Sequence, residues 1–145
     1  MSNEVEFEYI EAPIHSTLKA TMPIFDMFRH DSHIVEVNTQ DALFREGDLG
    51  NEMYVLLEGE AEIFIGGTLF EKCGPGSIVG EIAVIEQAPR SATVIACSRC
   101  KFAVVDSKRF QFLLDETPDF AIAVMRVMAQ RLKRCDIRVL NEINS

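Results

Sequence analysis

The stretch Gly76-Ser77-Ile78-Val79-Gly80-Glu81-Ile82-Ala83-Val84-Ile85-Glu86-Gln87-Ala88-Pro89-Arg90-Ser91-Ala92-Thr93-Val94 decides how the rest of the chain is read. It sets a glycine, a carboxylate and small residues within one turn, then a guanidinium, Arg90, nine positions after the carboxylate of Glu81. Small residues let backbone N–H groups approach an anion closely, above all where a short helix begins. An arginine fork can pair with two phosphate oxygens. A phosphate would repel Glu81 unless that carboxylate had its own task, and accepting a hydrogen bond from a sugar hydroxyl is the natural one. The turn around Glu81 and Arg90 therefore predicts a cradle for a sugar phosphate. No nucleophile or metal-binding group stands near it in the sequence to break such a ligand.

Outward from this cradle the pattern is one of short β runs. Ile34–Val37, Ala42–Phe44, Met53–Leu57 and Ala61–Ile65 precede it, and Ala92–Ala96 and Lys101–Val105 follow. Gly47-Asp48, Glu58-Gly59-Glu60, Gly66-Gly67 and Gly74-Pro75-Gly76 separate the runs with residues that permit positive φ or preset a turn. Gly66-Gly67 joins two β runs over a two-residue gap and predicts a hairpin. Many short strands with regular turn chemistry predict a mainly β fold with flanking helices, a double-stranded β-helix or jelly-roll barrel over residues 34–106. Residues 1–33 read as a helical lead-in, with a short helix at Ser16–Ala20 stopped before Pro23.

Residues 107–145 turn helical. Phe110, Leu113 and Leu114 share one face of a short helix, and Thr117-Pro118 supplies the cap and first residue of a longer one. In the longer helix Met125, Met128, Leu132, Cys135 and Val139 recur in steps of three and four, while Phe120, Val124 and Val127 widen the apolar face near its start. Two packings fit this pattern: a helix lying on its own barrel, or a helix pair across a homodimer.

The segment 76–94 resembles the phosphate-binding cassette of the cyclic-nucleotide-binding domain family, shared by the bacterial catabolite activator, regulatory subunits of cAMP-dependent protein kinase and cyclic-nucleotide-gated channels. The likeness lies in the Gly-Glu-Ile-Ala start, the spacing to Pro-Arg-Ser-Ala and the β run that follows. Upstream, Phe44-Arg45-Glu46-Gly47-Asp48 and Tyr54-Val55-Leu56-Leu57-Glu58-Gly59-Glu60-Ala61 resemble early strands and turns of the same family, so the resemblance runs from about Ile24 to Leu140. It implies that Arg90 pairs with the exocyclic oxygens of a cyclic phosphate and that Glu81 accepts the ribose 2′-hydroxyl. Gly80, Ile82, Ala83 and Ser91 would line the cradle. Cys135 and Asp136 fall where the family's C-terminal helix closes as a lid over the base. A hydroxyl at Ser91 suits a guanine amino group and also occurs in cAMP receptors, and a carboxylate at Asp136 could serve either purine. The expected ligand is cAMP ahead of cGMP.

Bulk properties narrow the alternatives. A formal charge of −9 and a pI near 4.8 oppose direct DNA binding, which draws on many Lys and Arg contacts to phosphates. Arg126, Arg131, Lys133, Arg134 and Arg138 gather near the C-terminus and read as a solvated helix face. The acidic N-terminus lacks the features of a secretory signal, and no apolar run is long enough for a membrane span, which together suggest a cytoplasmic protein with reduced thiols. Cys97-Ser98-Arg99-Cys100 lies between two β runs and reads as an incidental turn; His30 and His33 read as loop residues without further metal ligands. A cupin-type metalloenzyme fits poorly, because His15, His30 and His33 all precede the strands. After Leu140 only Asn141–Ser145 remains, so the expected protein is a sensor, not an enzyme, that reports to an effector protein through its lid helix. The competing expectation is a ligand-independent protein-interaction module that keeps the fold as scaffold.

Overall fold

The computed structural model describes residues 22–144. The expected helix at Ser16–Ala20 lies outside them. In chain order come α1 (Ile24–Phe28), β1 (Ile34–Val37), β2 (Ala42–Phe44), β3 (Met53–Glu58), β4 (Ala61–Ile65), β5 (Thr68–Cys73), β6 (Ile78–Val79), α2 (Glu81–Glu86), β7 (Thr93–Ala96), β8 (Cys100–Val105), α3 (Ser107–Glu116) and α4 (Pro118–Asn144). All strand pairs are antiparallel. Instead of one closed barrel, the eight strands form two four-stranded sheets, ordered β1-β8-β3-β6 and β2-β7-β4-β5. This is the β-roll form of the expected jelly roll.

Strand β3 shows why the sheets sit as they do. Its side chains alternate between faces, yet Met53, Val55, Leu56 and Leu57 are all buried. Met53, Val55 and Leu57 pack with Phe28, Phe110, Phe120 and Val124 under the helices, whereas Leu56 joins Phe44, Ile63, Val94 and Phe102 between the sheets. A strand covered on both faces has no polar side to alternate with, and the run is accordingly continuous. The Gly66-Gly67 turn closes β4 onto β5 with both residues at positive φ and Ile65 opposite Thr68, the geometry of a two-residue hairpin.

Helix α3 starts at Asp106, whose side chain accepts from the Arg109 N–H, and α4 opens on Pro118 as its sequence requires. Phe120 and Val124 are buried and Val127 packs against the same core, so the inner face of α4 lies on its own domain. The stripe of Met125, Met128 and Leu132 is exposed instead, 60% and 64% at its two ends.

Candidate functional site

The cradle is built by a break in the backbone. Gly80 adopts φ +82°, and a Cβ there would stand 2.7 Å from Arg90 Nη1 and 2.9 Å from the Glu52 carbonyl. Only glycine meets both demands. Immediately after it α2 begins, placing Glu81 and Ala83 inward. Arg90 is fixed from two sides: its N–H donates to the Asp48 carbonyl and its own carbonyl accepts from the Gly47 N–H. These bonds fasten the cassette to the β2–β3 loop, which explains the Gly47-Asp48 turn.

The Arg90 side chain is only 5% exposed. Nη1 donates to the carbonyls of Glu52 at 2.7 Å and Gly80 at 3.4 Å, while the guanidinium lies 4.3 Å from the centroid of the Phe44 ring. Nε is buried without a hydrogen-bond partner. A buried cation with an unpaired donor is costly, and the group that would relieve it is an anion with at least one oxygen to offer.

Glu81, 4% exposed, is met by a residue from the opposite end of the sequence. Arg131 of α4 places Nη1 at 2.8 and 3.0 Å from its two carboxylate oxygens. The same guanidinium donates through Nε and Nη2 to Glu71 of β5, at 3.2 and 3.3 Å, and through Nη2 to the Ile78 carbonyl at 2.6 Å. Burial alone would push Arg131 down, but Glu81 and Glu71 outweigh it and hold the residue above its ordinary value. A carboxylate has about four acceptor positions, so Glu81 retains capacity for a ligand hydroxyl beside Arg131.

Between these groups lies a cavity of about 110 Å³, open to solvent at its mouth. The cassette supplies Gly80, Glu81, Ile82, Ala83, Arg90 and Ser91; the second sheet supplies Phe44, Ile63, Ile65, Phe70 and Val94; α4 supplies Arg131 and Cys135. Seven of the eight residues expected from sequence therefore meet at one cavity. Asp136 does not line it and is exposed. One residue along a helix is a rotation of about 100°, so Cys135 and Asp136 cannot both face inward.

Sequence reasoning missed Glu71, Phe70 and the role of Arg131, which it assigned to a solvated face. The signal for Arg131 was present: Phe120, Val124, Val127 and Arg131 continue one helical stripe in steps of four, three and four. Cys97 and Cys100 sit at the β7–β8 turn as free thiols, with the Ser98 hydroxyl accepting from the Glu60 N–H. Among the described residues no group of three His, Cys, Asp or Glu side chains could hold a metal ion. No helix among them is long and apolar enough to cross a membrane.

Fold and cavity together define a ligand-binding β-roll closed on one side by a helix. The family model of the cyclic nucleotide-binding domain matches residues 34–117, more than half of the chain, and the chain belongs to that family. The cAMP-dependent protein kinase regulatory subunit of Hypocrea atroviridis is 40% identical over 74 residues, 51% of this chain and 16% of that subunit. The catabolite activator protein of Thermus thermophilus matches with a TM-score of 0.68 at 22% identity, over 83% of this chain and 59% of its own, a likeness of fold alone. The EAL enzyme Bd1971 matches in its cAMP-bound form (TM-score 0.55, 28% identity) and in its cGMP-bound form (0.56, 27%), each over 77% of this chain and 31% of that one. The chain spans a quarter or less of the length of the curated relatives it matches.

Proposed function

We propose that this domain is a cytoplasmic cyclic nucleotide receptor, selective for cAMP over cGMP, that binds its ligand without transforming it and signals to a partner protein through movement of α4. The observation that carries this reading is the buried, unpaired Nε of Arg90 beside a carboxylate at one cavity. Arg90 pairs with the cyclic phosphate, Glu81 accepts the ribose 2′-hydroxyl, and Gly80, Ile82, Ala83 and Ser91 form the cradle. Cys135 faces the base; Asp136, outside the cavity, takes no part. Unpaired thiols at all four cysteines suit a reducing compartment.

The preference for adenine follows from the lining of the cavity away from the cassette. Ile63, Ile65 and Phe70 offer no side-chain partner to the O6 and N2 groups of guanine, and only Ser91 supplies a neutral hydroxyl. Desolvating more polar groups without partners costs affinity. Transmission runs through Arg131, which joins Glu81 to α4, so a ligand that changes the surroundings of Glu81 biases the position of the helix. It can do so only by its differential affinity for two helix positions. The exposed stripe of Met125, Met128 and Leu132 is the surface that a partner or a second copy would cover.

Calorimetric titration of the chain and its Arg90→Ala variant with cAMP and cGMP tests the reading. The expected result is saturable binding with cAMP tighter, and a loss of about a hundredfold or more in the variant, from two charge-assisted hydrogen bonds. Absence of binding by the unaltered chain, together with stable capture of a protein partner, would favour the interaction-module alternative.

A further inference from the structure

We propose that Glu71 on β5 is a positioning residue that joins the sugar side of the cavity to its base side, although it does not itself line the cavity. The proposal rests on the reading of the cavity as a cyclic nucleotide site. A β-bulge opposite Ile63 and Phe64 makes Phe70 the extra residue of β5: Phe70 lines the cavity, and its neighbour Glu71, opposite Ile63, engages α4. Glu71 Oε1 accepts from Arg131 Nε at 3.2 Å and from Arg134 Nη1 at 2.8 Å, and Oε2 accepts from Arg131 Nη2 at 3.3 Å. Arg131 continues to Glu81 at the polar end of the cavity. Arg134 continues to Phe70, with its guanidinium carbon 5.7 Å from the ring centroid, within cation–π reach.

The result is one connected series, Glu81–Arg131–Glu71–Arg134–Phe70, in which two carboxylates balance two guanidiniums. Arg131 and Arg134 are three residues apart on one helix face, where like charges repel. Glu71 sits between them and neutralises that repulsion while fixing both forks. Loss of its charge loosens Arg131, and with it the orientation of Glu81 toward a ribose. It also frees Arg134 from its place near Phe70, the aromatic face at the apolar end against which a base can stack. Affinity and base preference are thus tuned by a single side chain beside the site.

The test is titration of the unaltered chain, Glu71→Gln and Phe70→Leu with cAMP and with 3′,5′-cyclic UMP, alongside thermal melts. The glutamine variant keeps the shape and removes the charge. It is expected to weaken cAMP by about tenfold, the size of one charge-assisted contact, and cyclic UMP by clearly less, because a purine offers more surface to Phe70. Phe70→Leu is expected to narrow the purine preference by about fivefold or more, since a base stacks on an aromatic face and loses that contact against leucine. An equal loss for both nucleotides in Glu71→Gln marks a plain structural anchor and overturns the proposal, as does no loss. Should that variant fail to fold, an unchanged cAMP to cyclic UMP ratio in Phe70→Leu overturns it instead. Failure of the unaltered chain to bind either nucleotide removes the receptor reading and this proposal together, whereas normal binding with an indifferent Glu71→Gln removes this one alone.

Discussion

Arg90 and Arg131 are both largely buried, yet they are furnished in opposite ways. Arg131, with its side chain 13% exposed, directs its guanidinium at two carboxylates and a carbonyl, five contacts for five N–H groups. Among the described residues no carboxylate pairs with Arg90; two backbone carbonyls and the face of Phe44 hold one edge of its fork, and Nε is left unpaired. A charge compensated within the chain serves the fold, while a charge held in place but left uncompensated serves a ligand. On the proposed reading the two arginines divide the work of the cavity: one fastens the helix that closes it, the other supplies its attraction for an anion.

Substitution should separate these tasks. The largest effect is expected for Arg90→Ala, with nucleotide affinity reduced about a hundredfold or more and unfolding free energy within about 1–2 kcal/mol of the unaltered chain, because a costly unpaired donor leaves with the charge. Arg131→Ala reverses the pattern. It strands Glu81 and Glu71, both largely buried, and should cost about 3–5 kcal/mol in urea or thermal unfolding. Comparable stability losses in the two variants would break the comparison. Gly80→Ala comes next, since its Cβ meets Arg90 Nη1 at 2.7 Å in a backbone conformation that disfavours side chains. About 1–3 kcal/mol of strain is expected from it, together with weaker nucleotide binding as Arg90 is displaced. At Gly74 an added Cβ meets nothing within 4 Å and φ is not positive, so Gly74→Ala is the control and should leave binding unchanged.

The same contrast explains what could be read from sequence. The cassette is local: a glycine that must take positive φ, a helix start and an arginine nine residues past Glu81 bring their chemistry together within one short segment. Strands with buried apolar residues were legible for a similar reason, because the periodicity of a strand is written in its neighbours. Strand β5 was harder to delimit. It lies at a sheet edge and carries Glu71 and Lys72, and edge strands lack the apolar alternation that burial imposes. The Arg131 contacts join residues 50 and 60 positions apart in sequence, a distance at which spacing has no meaning without the fold. On α4 the regular stripe of Met125, Met128 and Leu132 drew attention to the outer face. The inner stripe ends in a charge, and a pattern search for apolar residues stops one turn short of the residue that matters.

A third arginine stands between the two extremes and gives the smallest expected effect. Arg109 of α3 donates through Nη1 and Nη2 to the two oxygens of Asp31, which also accepts from the His33 N–H, and it lies 5.1 Å from the Phe28 ring centroid. This pair ties the segment after α1 to α3. Burial pushes the Asp31 carboxyl up, but the hydrogen bonds and charge of Arg109, with smaller help from His33, together push it down by more, leaving it below its ordinary value of 3.8. A carboxylate lowered on folding binds fewer protons in the native state than in the unfolded one. Its contribution is therefore present at neutral pH and lost as the pH falls through the folded value, below 3.8. Arg109 keeps 30% of its side chain in solvent, so screening limits the effect to about 1–2 kcal/mol. Urea unfolding of the unaltered chain and Asp31→Asn across a pH series should show that difference at pH 7 and see it close in acid. A difference that persists unchanged to the acid limit would assign the bond to shape instead of charge, and would leave Arg131 as the arginine whose charge the fold most requires.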